Sequence, residues 1–414
     1  MTSRTTTLSP SMTLPASAPA AARAVLRLLR QLQIGSLDLQ LPDGTQMHFG
    51  SGDGHLREGE PRAAMRLLDW SVCQAALRHG DIGFAESFIA GHWTTPDLVA
   101  LLELFIANRD ALESVVYGTW WGSLLARAKH LLHRNSRRGS RKNIHAHYDI
   151  GNPFYRLWLD ETMNYSSALF EGDRSRPTAD AQLAKVRRAL RECRLQPGDR
   201  LLEVGCGWGA LAEVAAGEFG AQVVGVTLSD EQLAFAQARM ARLGFAARAD
   251  LRLQDYRDIA DGPFDAIASI EMFEAVGREY WGDYFSLLRK QLKPGGRACI
   301  QSITIRDDLF QRYIRSSDFI QQYIFPGGLL PSPTEFRREA ARAGLVVVSE
   351  LAFGHDYAET LKRWRQDFLA RDSEVRQLGF DTRFMRIWEF YLAYCEAAFA
   401  TGNTDVVQFT LARA

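Results

Sequence analysis

The alternation of apolar and polar positions divides the chain into two regions of different pattern. Residues 36–50 (SLDLQLPDGTQMHFG) alternate on either side of Pro42, Asp43 and Gly44, the signature of a β-hairpin closed by a tight turn. Before it, 21–33 (AARAVLRLLRQLQ) carries apolar residues at helical spacing with a basic opposite face. After it, helical periodicity covers 61–79, a mixed segment follows at 81–93, and a further helix is expected over 94–107. There Thr94, Thr95 and Pro96 offer a capping hydroxyl and a first-turn proline. These elements predict a small α+β domain over 30–115 without a visible catalytic cluster.

From residue 183 onward strand and helix patterns alternate. Strands are expected at 200–204, 222–226, 249–253, 264–270, 297–303 and 345–349, and helices at 211–217, 229–243, 280–291 and 334–343. Lys293, Pro294, Gly295 and Gly296 read as the turn into the fifth strand. Such an order predicts an α/β fold, a doubly wound, mainly parallel sheet. An apolar, helix-prone insertion at 304–330, rich in aromatic residues (Phe310, Tyr313, Phe319, Tyr323, Phe325), interrupts the sheet before its last strands. It falls near the carboxyl ends of the strands, where open α/β sheets bind ligands.

The region is organised around 201–211 (LLEVGCGWGAL), an apolar strand running into glycines at Gly205, Gly207 and Gly209 and then a helix. Glycines at such a junction allow positive φ and let a ligand lie against bare main chain. The spacing does not meet the more specific dinucleotide-binding pattern.

Composition narrows the partners. A length of 414 residues allows about two domains. The net charge of zero leaves no global field for nucleic acid, so any charged surface must be local. The cysteines Cys73, Cys193, Cys206, Cys299 and Cys395 are odd in number and scattered, which argues against a disulfide framework or a zinc site and fits a reducing cytoplasm. No metal is expected. No apolar run approaches the roughly 20 residues needed to span a bilayer. Residues 1–25, rich in Ser, Thr, Pro and Ala, read as a disordered tail and lack the apolar core of a secretory signal. Residues 127–142 hold seven Arg or Lys and no acid, either a solvated linker or a patch for anionic headgroups. The bulky 115–125 segment (VVYGTWWGSLL) before it suits an interface. The expected organisation is a tail at 1–25, a lipid-associated domain at 26–126, a basic linker at 127–144 and a catalytic domain at 145–414.

The stretch 201–303 resembles the class I S-adenosylmethionine-dependent methyltransferases, with a Rossmann-like sheet. The resemblance implies a cofactor site built from Tyr165, Ser166, Val204, Gly205, Cys206, Gly207, Gly209, Thr227, Leu228, Ser229, Gln232, Gln254, Asp255 and Tyr256. Thr227 stands where that superfamily commonly carries a ribose-binding acid. The motifs GCGWG (205–209), GVTLS (225–229), QDYRD (254–258), MFE (272–274) and YIFPGG (323–328) together resemble the cyclopropane fatty acid synthases. HYDIGN (147–152), MNYS (163–166), HDY (355–357) and FYLAYCE (390–396) agree, and 83–98 is similar to that family's N-terminal domain.

The family resemblance implies methyl transfer from S-adenosylmethionine to the cis double bond of a phospholipid acyl chain, beneath the insertion, by a peripheral protein on the cytoplasmic face of a membrane. A homodimer is implied in the same way. The family uses bound bicarbonate as the base that closes the ring. Its ligands map here to Glu274, Tyr357, the main-chain amide of Ile303, and two altered positions: Ser167 for a Cys and Gln301 for a His. Ala275 replaces a further His, and Cys395 is a weaker active-site candidate. Ser and Gln can donate hydrogen bonds, but neither relays a proton as His does. Bicarbonate and ring closure are therefore open, with a methyl-branched or methylated unsaturated chain as the other outcome. Two other functions compete: a small-molecule amine N-methyltransferase of the same fold, and a non-catalytic lipid-binding relative.

Overall fold

The structure, a computed structural model, describes residues 18–51, 59–112 and 150–413. The chain divides into two compact units, 1–122 and 123–414, each considered by itself.

In the first unit the expected hairpin forms from β1 (Ser36–Gln40) and β2 (Gln46–Gly50), with Gln40 opposite Gln46. The helix expected at 61–79 does not. Residues Arg62–Leu67 form β3, parallel to β1, and the helix runs instead over Ser71–Ile89. Ala63, Met65 and Leu67 are buried on one face of β3. Pairing with β1 thus overrides the helix preference of Ala and Met. β4 (Trp93–Thr94) completes a sheet of order β2-β1-β3-β4. The next helix, Leu98–Ala107, is capped by Asp97, whose carboxylate accepts from the Ala100 amide at 3.0 Å. Pro96 therefore precedes the cap, and the Thr95 hydroxyl donates to the Ala64 carbonyl at 2.7 Å. The first helix, Ala20–Leu29, begins inside the stretch that composition grouped with the tail.

The second unit contains the doubly wound sheet. Its strands are β5 (Arg200–Val204), β6 (Gln222–Thr227), β7 (Ala249–Leu253), β8 (Phe264–Ile270), β9 (Leu292–Ile305), β10 (Leu345–Ala352) and β11 (Thr404–Arg413), in the order β10-β11-β9-β8-β5-β6-β7. β5 to β9 pair in parallel, and β11 lies antiparallel between β9 and β10. The sequence reading had no strand at 404–413. The chain returns there from the far side of a long helix, and its partners in β9 and β10 lie roughly 55 to 115 residues earlier, beyond the reach of local pattern. Residues 293–296 are not a turn before the fifth strand but a bulge inside it, where the register moves from Phe264–Leu292 to Ala266–Arg297.

Alternate residues of each central strand feed two cores. Leu202, Val204, Val224 and Val226 join Phe273, Trp281, Phe285, Phe336 and Phe409 on one face. Leu201 and Val223 join Val186, Leu190, Leu211 and Met240 on the other. The insertion folds as two short helices, Asp307–Tyr313 and Phe319–Tyr323. Phe310 belongs to the first core and Tyr313 packs against it. Phe319 and Phe325 instead meet Phe390 and Tyr391 of the helix Thr382–Ala400, at 4.9 and 6.3 Å between ring centres. The basic stretch 127–142, the segment 115–125 and residues 145–149 lie outside the described residues. Among the described residues no helix is long and apolar enough to cross a membrane.

Phe409 of β11 stacks on Phe336 at 4.0 Å between centres and is fully buried. Phe409→Ala is expected to lower the stability of this unit by about 3–5 kcal/mol, read as a shift in its urea midpoint at unchanged slope.

Candidate active site

The glycine turn lies at the carboxyl end of β5. Gly205 and Gly207 both have positive φ, +86° and +50°. A Cβ on Gly205 would lie 2.9 Å from Met272 Cγ, so the turn packs directly on the segment that follows β8. A Cβ on Gly207 would meet nothing within 4 Å, which leaves bare main chain facing open space. Val204 and Cys206 are buried beside them, and Gly209 caps the helix Ala210–Gly217. Glu203, on the strand entering the turn, is buried, and its Oε2 has no hydrogen-bond partner among the described residues.

The other expected cofactor residues gather at the neighbouring strand ends. Thr227 ends β6, and its hydroxyl donates to Gln232 Oε1 at 3.1 Å while accepting from the Ser229 amide at 3.2 Å. Leu228 and Ser229 form the turn, and Ser229 caps the helix Asp230–Arg242 through the Gln232 amide. Gln254, Asp255 and Tyr256 follow β7, where the Asp255 carboxylate is held by Arg257. Tyr165 and Ser166 reach the site from a different direction. The Tyr165 and Tyr391 hydroxyls lie 2.7 Å apart, and Ser166 Oγ accepts from Lys185 Nζ at 2.5 Å.

The groups expected to hold bicarbonate converge, but on a protein side chain. Glu271, the residue after β8, accepts from Tyr357 Oη at 2.7 Å, from Gln301 Nε2 at 2.7 Å and from the Ser167 amide at 2.9 Å. The Ser167 hydroxyl turns away and donates to the Ala168 carbonyl. Gln301 is fixed in turn, because its Oε1 accepts from Gln408 Nε2 at 3.0 Å across the β9–β11 pair. Glu274 sits one turn on, accepting through Oε1 from the Ile303 amide and from Ser302 Oγ. Its Oε2 is buried without a partner among the described residues. A bicarbonate does not fit these residues as they stand. Its expected donors are already engaged by Glu271 and Glu274.

The two acids differ in their surroundings. Burial raises both. For Glu271 this is opposed by Lys185 and by the three donors just described. Glu274 faces the Glu271 charge besides its own burial and is pushed up to about 8. Both acids are thus harder to ionise than a free carboxylate, and Glu274 has the fewer donors to offset its burial. Lys185 itself is completely buried, and that burial brings it down to about 8 against the pull of Glu271 and Asp160.

Sequence reasoning missed Glu271, Lys185 and Glu203. Its one available signal for the first was the pair of acids three residues apart in SIEMFE (269–274). Cys395 lies on the same aromatic helix as Tyr391, half-buried, and burial raises its thiol far above the usual range. It is not poised as a thiolate. All five cysteines are free. No cluster of metal-ligating side chains occurs among the described residues.

A mainly parallel doubly wound sheet, with a glycine turn after its first strand packed on a segment of paired acids, defines a class I methyltransferase. The family described as mycolic acid cyclopropane synthetase matches residues 135–409, and the chain belongs to it. It is 38% identical to a tuberculostearic acid methyltransferase of Mycobacterium tuberculosis over 96% of this chain and 92% of that protein. It is 31% identical to the cyclopropane-fatty-acyl-phospholipid synthase of Escherichia coli K12, over 86% and 89% of the two chains. Among solved structures, the mycolic acid cyclopropane synthase CmaA1 complexed with SAH and CTAB superposes with a TM-score of 0.62 at 34% identity, covering 66% of this chain and 97% of that one. The protein is an S-adenosylmethionine-dependent methyltransferase that acts on lipid chains. The open backbone at Gly207 and the orphaned oxygen of Glu203 fit a ligand that brings both a main-chain contact and a cationic group, as this cofactor does.

The proton on Glu274 has a thermodynamic consequence. Between the ordinary carboxylate range and about 8 the folded chain holds a proton that the unfolded chain has released, so this group makes stability fall as pH rises through that window. Glu274→Gln keeps the acceptor oxygen and removes the titration. Denaturation midpoints of the variant are expected to vary less than wild type between pH 5 and 8, by up to about 1.4 kcal/mol per pH unit.

Proposed function

We propose that the enzyme transfers a methyl group from S-adenosylmethionine to the cis double bond of an unsaturated phospholipid acyl chain. The observation that carries this reading is the buried Glu271–Glu274 acid pair set among tyrosines and tryptophans. Tyr357 packs on Phe399 at 4.3 Å between centres, and Tyr165 lies 5.4 Å from Trp364. An alkene needs no polar recognition, and the cation it forms is stabilised by a fixed carboxylate and by aromatic faces.

The cofactor supplies an electrophilic methyl group: its carbon–sulfur bond breaks as the alkene π pair forms the new carbon–carbon bond. Gly205, Gly207, Thr227, Gln232 and Asp255 are the residues proposed to seat it, with Tyr165 and Ser166 closing over it. Tyr165, Tyr391 and Phe325 line the approach for the chain, and Glu271 holds its charge beside the point where the cation develops. Loss of a proton then ends the reaction in a ring or an alkene. A saturated methyl branch would need a hydride donor and is not assigned to this chain. The basic stretch 127–142 is proposed to meet anionic headgroups, at about 1 kcal/mol per basic residue near such a surface.

An amine N-methyltransferase remains the competing reading, and likeness to coclaurine N-methyltransferase, at 17% identity, supports the shared fold alone. The two separate on incubation with methyl-labelled S-adenosylmethionine and vesicles of unsaturated phospholipid. Label is expected in the acyl chain by mass spectrometry; label confined to added small amines, or none in lipid, would sink the proposal. Gly207→Ala is expected to weaken cofactor binding at least about tenfold by calorimetry, at a folding cost of roughly 1 kcal/mol for a side chain at positive φ.

A further inference from the structure

We propose that Glu271 is the enzyme's own base, a carboxylate built into the place where its relatives' resemblance would put bicarbonate. The inference rests on the acyl methyl-transfer reading and assigns the step after it.

Three independent observations lead there. The first is geometric. Tyr357 Oη, Gln301 Nε2 and the Ser167 amide, which come from a helix, a strand and a loop, aim their hydrogens at the two oxygens of one carboxylate. They form the donor set of an anion site, and the anion is tethered to the chain.

The second is conformational. Glu271 has a φ of +49°, one of four non-glycine residues with positive φ among those described. For a side-chain-bearing residue that region costs roughly 1–2 kcal/mol. A glycine would fit the backbone better. The main chain is nonetheless held there, with the Glu271 amide donating to the Gln301 carbonyl at 2.9 Å. Strain retained at a polar side chain that stability does not require marks a functional position.

The third is electrostatic. The groups that set the charge on Glu271 come from every side. Lys185 lies on the helix Thr178–Glu192, with Asp160 as its second acid; Tyr357 is on Gly354–Ala370 and Glu274 follows in the same segment. Lys185 also braces the frame. Its Nζ donates to Ser166, next to the Ser167 amide, and its carbonyl accepts from Gln408 at 3.1 Å, which in turn fixes Gln301. One buried cation thus stands behind two of the three donors, as a positioning residue.

The step balances without a further reactant. After methyl transfer the neighbouring carbon bears the positive charge. Glu271 takes a proton from the new methyl group, and the released C–H pair bonds to the cationic carbon, closing a cyclopropane. If a hydride first shifts to that carbon from the methylated one, the same proton loss gives a methylene branch, C=CH2, on the open chain. Either way the carboxylate ends neutral and nothing is oxidised or reduced.

The test compares wild type, Glu271→Gln and Glu271→Gly in carbonate-free buffer and with added sodium bicarbonate, using labelled S-adenosylmethionine and unsaturated phospholipid vesicles. Circular dichroism and cofactor calorimetry serve as controls for folding. Wild type is expected to form product at the same rate in both buffers. Glu271→Gln, isosteric but not basic, should lose at least about a hundredfold with cofactor affinity unchanged. Glu271→Gly, free of backbone strain and retaining all three donors, should be inactive alone and regain turnover with bicarbonate. Bicarbonate-stimulated wild type, a fully active Gln variant or an unrescued Gly variant would each overturn the assignment. Wild type that labels no lipid in either buffer would instead overturn the acyl reading on which it rests.

Discussion

The hydrogen bond from Tyr357 to Glu271 joins the two halves of the catalytic unit, and much of the architecture serves to keep it. Glu271 hangs from the end of β8, while Tyr357 lies on a helix placed by the last two strands. A carboxylate kept away from water costs several kcal/mol unless it is paired and hydrogen-bonded. Here the compensation comes from three donors at 2.7–2.9 Å and from Lys185 behind them. Glu274 is pushed up first by its own burial and then by the neighbouring Glu271 charge.

This arrangement connects a local feature of the fold to the class of chemistry. The glycine turn would serve many methyl acceptors. What distinguishes this chain is the segment packed against it: Met272 lies on Gly205, with an acid on either side at 271 and 274. The insertion is tied to that segment too, through the Leu329 amide on the Glu274 carbonyl at 2.9 Å. Cofactor wall, acid pair and the roof formed by the insertion therefore share one stretch of backbone, and a displacement of any of them is felt by the others.

Legibility in the sequence followed the range of the interactions. The hairpin around Asp43, the glycine turn and five of the sheet strands rest on signals within a few residues, and they stood where the pattern put them. β3 was misread because Ala and Met favour a helix until a neighbouring strand claims them. β11 was missed because its partners are distant. The resemblance led to Tyr357, Gln301, Glu274 and Ile303, all of which the fold brings to the acid pair. It could not show that Tyr357 and Gln301 both point to Glu271. That depends on a positive φ and on three hydrogen bonds from remote parts of the chain, none of which leaves a trace in composition or spacing.

β11 has a consequence for the order in which the molecule is made. It enters the sheet between two strands already synthesised, and Gln408, opposite Gln301, supplies the bond that orients the amide on Glu271. Until those residues leave the ribosome, β9 and β10 have no common partner and the acid pair lacks its support. A nascent chain can thus complete its glycine turn well before Gln301 has the partner that orients it on Glu271.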